Sequence, residues 1–99
     1  MIKPTVGRVV WYWPVGPKSK EAGDQPCSAQ VAYVHSDRSI NIGFFDHHGH
    51  ACAATSVPLV QEGDVYPSGP FAEWMPYQKG QAVRTEQLEK QVAGGASPA

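Results

Sequence analysis

The stretch Lys3-Pro4-Thr5-Val6-Gly7-Arg8-Val9-Val10-Trp11-Tyr12-Trp13-Pro14 decides the fold. It is dense in β-branched and aromatic residues and carries a proline near each end, which is how a short buried strand reads. Proline cannot donate to a ladder, so Pro4 and Pro14 suit strand ends. The strand is expected over 6–13. Alternation puts Val6, Arg8, Val10 and Tyr12 on one face and Gly7, Val9, Trp11 and Trp13 on the other. Neither face is polar, so the strand is buried on both sides or meets a partner. Gly7 within it marks a bulge or a close backbone approach.

Residues 14–26 follow, with three prolines, two glycines and no apolar periodicity. They read as a solvated loop. Strands are then expected over 28–34, 39–46 and 50–57. The turn chemistry of His35-Ser36-Asp37-Arg38 and Asp46-His47-His48-Gly49 joins them into an antiparallel meander. Residues 58–70 form a second irregular region. Residues 72–77 (AEWMPY) read as a short extended piece that Pro76 confines to an edge. The one helical pattern covers 82–93. There Glu86 and Lys90 pair at i,i+4, Val83, Leu88 and Val92 are placed roughly on one side, and Gly94-Gly95 acts as the stop. The expected organisation is a small β domain over 1–81, a C-terminal helix over 82–93 and a disordered tail over 94–99. The fold class is mainly β: a small curled antiparallel sheet, or an SH3-like or OB-like barrel, with one short C-terminal helix.

A chain of 99 residues is one domain, and at that size only about 60–65% of the unfolded surface leaves water. Oligomerisation would add to so small a core. The net charge is −1 and charged residues are 17%, which makes nucleic acid a poor partner because phosphate binding needs many cations. No apolar run reaches the roughly 20 residues of a membrane helix. The N-terminus lacks the apolar segment of a signal peptide, so a cytoplasmic location is expected. In that compartment Cys27 and Cys52 are expected as reduced thiols.

Three sets of residues are candidates for function. Asp46, His47, His48, His50 and Cys52 carry metal-ligating groups, and His48, His50 and Cys52 would share a face of an extended strand. The Gly49 turn breaks that alternation and no Cys-x-x-Cys pair is present, so a polar hairpin tip is expected, with no metal. No motif positions Cys27, Cys52 or Ser36 as a nucleophile, and no phosphate loop is present; neither an enzyme nor a cofactor is expected. The third set is aromatic: Trp11, Tyr12, Trp13, Tyr33, Phe44, Phe45, Phe71, Trp74 and Tyr77. One small core does not easily hide so many rings. Some are expected to border a pocket or a subunit interface, where Arg8, Arg38, Lys79 or Arg84 could hold phosphate beside a stacked base.

The run Lys3-Pro4-Thr5-Val6-Gly7-Arg8-Val9-Val10, followed by an aromatic pair and proline, resembles the opening of a widespread family of small phage and prophage proteins. Those begin KP-(S/T)-(V/I)-GR-(V/I), with a tyrosine soon after, here Tyr12. The Cys27-Ser28-Ala29-Gln30-Val31-Ala32-Tyr33-Val34 strand, the Thr55-Ser56-Val57-Pro58 step and Glu73-Trp74-Met75-Pro76-Tyr77-Gln78 extend the resemblance over about residues 2–81. The His47-His48-Gly49-His50 tip is not part of that pattern. The resemblance implies an accessory protein of the host cytoplasm. By analogy with small anti-defence sponges it implies a homo-oligomer that sequesters a small anionic, nucleotide-type immune signal. In that reading Arg8, Arg38 and Arg84 hold phosphate, and Trp11, Trp13 and Trp74 stack or wall the pocket. The alternative is a structural or protein-interaction module, either a minor virion or assembly component or an inhibitor of a host protein.

Overall fold

The structure, a computed structural model, describes the backbone of residues 1–95 and the side chains of residues 1–88. The elements are β1 (Val9–Trp13), α1 (Pro17–Glu21), β2 (Cys27–Ser36), β3 (Ser39–Phe45), β4 (Ala51–Val60), β5 (Phe71–Glu73) and α2 (Pro76–Gly95). The five strands close into a barrel in the order β1-β2-β3-β4-β5. This is the expected mainly β barrel with one C-terminal helix. Its strand order is a meander, not the Greek key of an OB barrel.

Strand parity accounts for the long second loop. β1 to β4 pair antiparallel in sequence order, and β5 pairs antiparallel with β1. With an odd number of strands, closure forces one parallel neighbour, and that pair is β4 with β5, through Leu59↔Ala72 and Val60↔Glu73. Parallel neighbours cannot be joined by a hairpin. Residues 61–70 are therefore a crossover that returns the chain to the start of β5.

Alternation along the strands produces two cores. Inside the barrel lie Val10, Tyr12, Ala29, Val31, Ile40, Ile42, Val57, Leu59 and Trp74, among others. Outside it, on the faces of β1, β4 and β5, Trp13, Val60 and Phe71 form a second cluster. It lies beneath α1 and the crossover, and Tyr66 packs on Phe71 with ring centroids 5.0 Å apart. The two loops touch where Gly16 runs against Ser68 and Gly69. Gly16 has φ +85°, and a Cβ there would lie 3.0 Å from the Gly69 carbonyl oxygen.

Several boundaries differ from the sequence reading. β1 begins at Val9, not residue 6, because the Arg8 N–H bonds the Thr5 carbonyl across a turn in which Gly7 takes φ +96°. Gly7 still donates to Val31, so the chain stays beside β2. The segment 14–26 contains α1, opened by Pro17 in the first turn, where its missing N–H costs nothing. β4 runs through Pro58 to Val60. Residues 72–77 are not an edge strand: β5 is only Phe71–Glu73 and pairs on both sides. Pro76 instead opens α2, six residues before the expected start at 82. Helix geometry separates Val83 from Leu88 by about 140°, so α2 has no single apolar stripe. Gly94 and Gly95 belong to α2, and residues 96–99 of the expected tail lie outside the described residues. No helix among the described residues is long and apolar enough to cross a membrane.

Candidate functional site

The tightest polar cluster sits at the rim of the outer core. Glu73 is 2% exposed. Its register positions opposite Trp11 and Val60 turn it outward from the barrel, under α1 and the crossover. Trp13 Nε1 donates to its Oε2 at 2.7 Å. Lys20 Nζ donates to both carboxylate oxygens, at 2.8 and 2.9 Å. The Tyr66 hydroxyl donates to Oε1 at 3.2 Å and accepts from Lys20 at 2.8 Å. Burial alone would lower the Lys20 pKa, but the bonds to Glu73 and Tyr66 outweigh it and hold the ammonium above the ordinary lysine value. With three donors committed to it, the carboxylate clamps α1 and the crossover onto the barrel.

A second hub is Gln61, buried at the start of the crossover. Its Oε1 accepts from the Ile2 N–H and from Trp74 Nε1, each at 3.2 Å. Its Nε2 donates to the Ile2 carbonyl at 2.9 Å and the Asp37 carbonyl at 2.8 Å. Each polar atom of the amide thus has two partners, and the N-terminal segment is fixed across the barrel end. The same end carries the start of α2. Gln78 Oε1 accepts from the Met75 N–H at 2.8 Å, and its Nε2 donates to the Val9 carbonyl at 2.9 Å.

Between the N-terminal segment, the barrel end and α2 lies an open cleft of about 340 Å³. Ile2, Trp74, Ala82 and Val83 form its apolar walls. Its rim carries paired charges: Lys79 with Glu62 at 3.3 Å, and the Met1 ammonium with Glu86 at 4.0 Å.

The six residues expected to hold a nucleotide are not gathered into one pocket. Trp13 and Trp74 are 3% and 1% exposed and belong to the outer and inner cores respectively. Trp11 is half-buried on the outer face of β1. Arg8 is exposed, with its guanidinium carbon 5.8 Å from the Trp74 ring centroid. Arg38 makes a two-bond pair with Asp64, at 2.8 and 3.1 Å, which holds the Asp64 carboxyl below its usual range. Arg84 lies exposed on α2. The surplus rings at the surface are instead Tyr33, Phe45, Tyr66 and Tyr77.

At the histidine-rich tip, Asp46 organises the turn. Its Oδ1 accepts from the His48 and His50 N–H groups, both at 2.9 Å. Those backbone bonds, that from His50 foremost, hold its pKa below the usual value. Among the described residues no group of three His, Cys, Asp or Glu side chains is placed to hold a metal ion. Cys27 and Cys52 are free thiols, and burial, with the charges of Asp46 and Cys52, pushes the Cys27 pKa up.

Comparison with family models, curated proteins and solved structures gives no match to this chain. Lys20, Gln61, Tyr66 and Glu73 were not singled out by sequence. Only Pro17, a helix-opening proline inside an expected loop, signalled that 14–26 was ordered.

Proposed function

We propose that this chain is a non-enzymatic protein-interaction module that takes an apolar segment of a partner into the cleft between the barrel and α2. The observation that carries the reading is the cleft itself. Its apolar walls are left open, while the buried side-chain polar atoms on the described residues all have hydrogen-bond partners. Its volume suits one or two apolar side chains. The rim charges are paired and of both signs, which favours a neutral peptide segment over a free anion. α2 supports the same reading. It exposes Tyr77, Val83 and Leu88, and a mostly polar helix gains little stability by itself in water.

The resemblance at the N-terminus supplies the setting. The chain is an accessory protein of a phage or prophage, acting in the host cytoplasm on a host or phage protein. A photo-reactive residue at Val83, compared with one at the exposed Lys18 of α1, tests the proposal in host lysate. A partner captured at Val83 alone, and displaced by filling the cleft with Ala82→Trp, is the expected result. Equal capture at both positions, or none, removes the cleft from the function.

A second reading keeps the nucleotide-type ligand. The exposed Arg8 beside Trp74 supports it. The other wall of such a site would come from a second subunit, because Trp13 is buried and Arg38 is already paired with Asp64, leaving the half-buried Trp11 and the exposed Arg84 for a second copy to bring beside Arg8. Calorimetry against cyclic dinucleotides, cyclic oligonucleotides and cyclic ADP-ribose isomers tests it. Binding that Arg8→Ala abolishes supports it, and no heat at millimolar ligand removes it.

A further inference from the structure

The barrel closes between β4 and β5 over a short stretch. β4 runs from Ala51 to Val60, yet it meets β5 through Leu59 and Val60 alone. Over residues 51–58 its one strand neighbour is β3. The ladder phase says which backbone groups are left over. Asp46 N–H bonds the His50 carbonyl just before β4, so in an antiparallel pair the bonded positions on β4 are Cys52 and Ala54. The N–H and C=O groups of Ala51 and Ala53 therefore point away from β3, and alternation adds those of Thr55. Among the described residues no turn or loop backbone bond reaches them, and β3 is the only strand paired with β4 at these positions.

An exposed edge of this kind is normally guarded by charge, proline, a bulge or a covering loop. The stretch Ala51-Cys52-Ala53-Ala54-Thr55 has no charge and no proline. Its guards come only afterwards, at Ser56, which takes φ +51° in the bulge, and at Pro58. The other stretch extending beyond its β1 partner, residues 32–36 of β2, is treated differently, because register shifts interrupt its pairing at Val31/Tyr33 and Val34/Ser36. Such irregularities twist an edge away from pairing.

We infer that Ala51–Thr55 is a self-pairing edge and that the occupant is the same strand of a second copy of this chain. The segment is self-complementary. Antiparallel pairing centred on Ala53 sets Ala53 opposite its counterpart and Ala51 opposite Thr55 of the second copy. Every outward backbone group over the five residues is then used. No like charges are brought face to face. The bulge at Ser56 stops the ladder on each side and fixes this register. The exposed side chains on that face, Ala51, Ala53 and Thr55, are small, so two barrels approach without a clash. The product is a continuous β2-β3-β4 sheet across a two-fold axis, the isologous form most dimers take. The inference is independent of the cleft between the barrel and α2.

Native mass spectrometry and sedimentation of the full chain test it. The wild type is expected as a dimer. Ala53→Lys, which sets two charges opposite each other on the exposed face, is expected to weaken association at least roughly tenfold while leaving the thermal unfolding of the monomer unchanged. In a Cys52→Ala background, Ala53→Cys is expected to form a disulfide between copies, and Ala51→Cys is not. A monomeric wild type overturns the inference. So does a dimer indifferent to Ala53→Lys, or an edge that takes up an unrelated extended peptide while the chain stays monomeric.

Discussion

Lys20 and Glu73 lie 53 residues apart in the chain and meet at 2.8 Å, joining the helix of the first loop to the last strand of the barrel. Removing the ammonium leaves Glu73 buried with Trp13 and Tyr66 as its remaining donors. Lys20→Met is expected to cost about 1–3 kcal/mol, the usual range for stripping a partner from a buried polar group. Lys20 is itself a third exposed, so the upper part of that range requires that water not enter in its place. Urea unfolding measures the loss. Glu73→Gln is expected to reduce the effect of Lys20→Met in a double-mutant cycle. Strict additivity would mean that the contact contributes nothing.

The alkaline limb of stability has a definite sign. Lys20, Tyr12 and Cys27 all have pKa values raised in the fold: Tyr12 and Cys27 chiefly by burial, and Lys20 by its bonds to Glu73 and Tyr66, against the effect of burial. A raised value means that the fold favours the protonated form. That contribution is complete below the ordinary values of 9.0, 10.0 and 10.5 and is lost as pH climbs through the higher folded values. On the acid side, Asp46 and Asp64 are lowered from 3.8, by the His50 N–H and by Arg38 respectively. Their contribution is present above that value and disappears as pH falls through the lower folded values. The melting temperature should be flat near neutrality, decline as pH rises past about 9 and decline again below about 4. A maximum at alkaline pH would contradict the assignment.

Gly16 is where the two loops touch, and it separates a backbone effect from a packing effect. Gly16 and Gly23 have nearly equal positive φ, +85° and +84°, but a Cβ at Gly23 meets nothing within 4 Å. Gly23→Ala should cost about 1 kcal/mol for conformation alone. Gly16→Ala should cost roughly 1–3 kcal/mol more, because the obstacle is backbone and cannot swing aside. Equal losses in parallel denaturation curves would show that the close approach of Gly16 to Ser68 and Gly69 has no energetic weight.

How much of this was legible follows from the range of the interactions. The barrel strands were readable because alternation in Ile40–Phe44 and turn residues such as Asp46 and Gly49 are local. The long crossover was implied by strand count once closure is assumed, since the fifth strand must lie parallel to its neighbour. The outer core was not readable. It depends on Trp13, Val60 and Phe71 meeting on the outside of the barrel, a packing role for Trp13 that no local pattern announces. The clamp was hidden for the same reason: nothing near Lys20 announces Glu73. Pro76 is ambiguous in the sequence because proline is tolerated both at a strand edge and at the first helical position; what decides between them is Gln78, whose side chain accepts from the Met75 N–H at the start of α2 and ties it to Val9.

Gln61 offers the sharpest test of the barrel end. Its amide gives two donors to carbonyl oxygens of Ile2 and Asp37 and two acceptor positions to Ile2 and Trp74. Gln61→Ala removes all four bonds but opens space that water can enter, and is expected to cost about 2–4 kcal/mol. Gln61→Glu keeps the shape and is expected to cost more. A carboxylate has no donor for the two carbonyls and sets an oxygen against them in a buried site. Of the two variants, the near-isosteric one should therefore be the less stable at pH 7. Lowering the pH should narrow the gap, because protonating the introduced carboxylate recovers one donor. Melting curves of both variants at neutral and mildly acidic pH decide it, and a Gln61→Glu protein as stable as the wild type at pH 7 would mean that the amide does not hold the N-terminal segment.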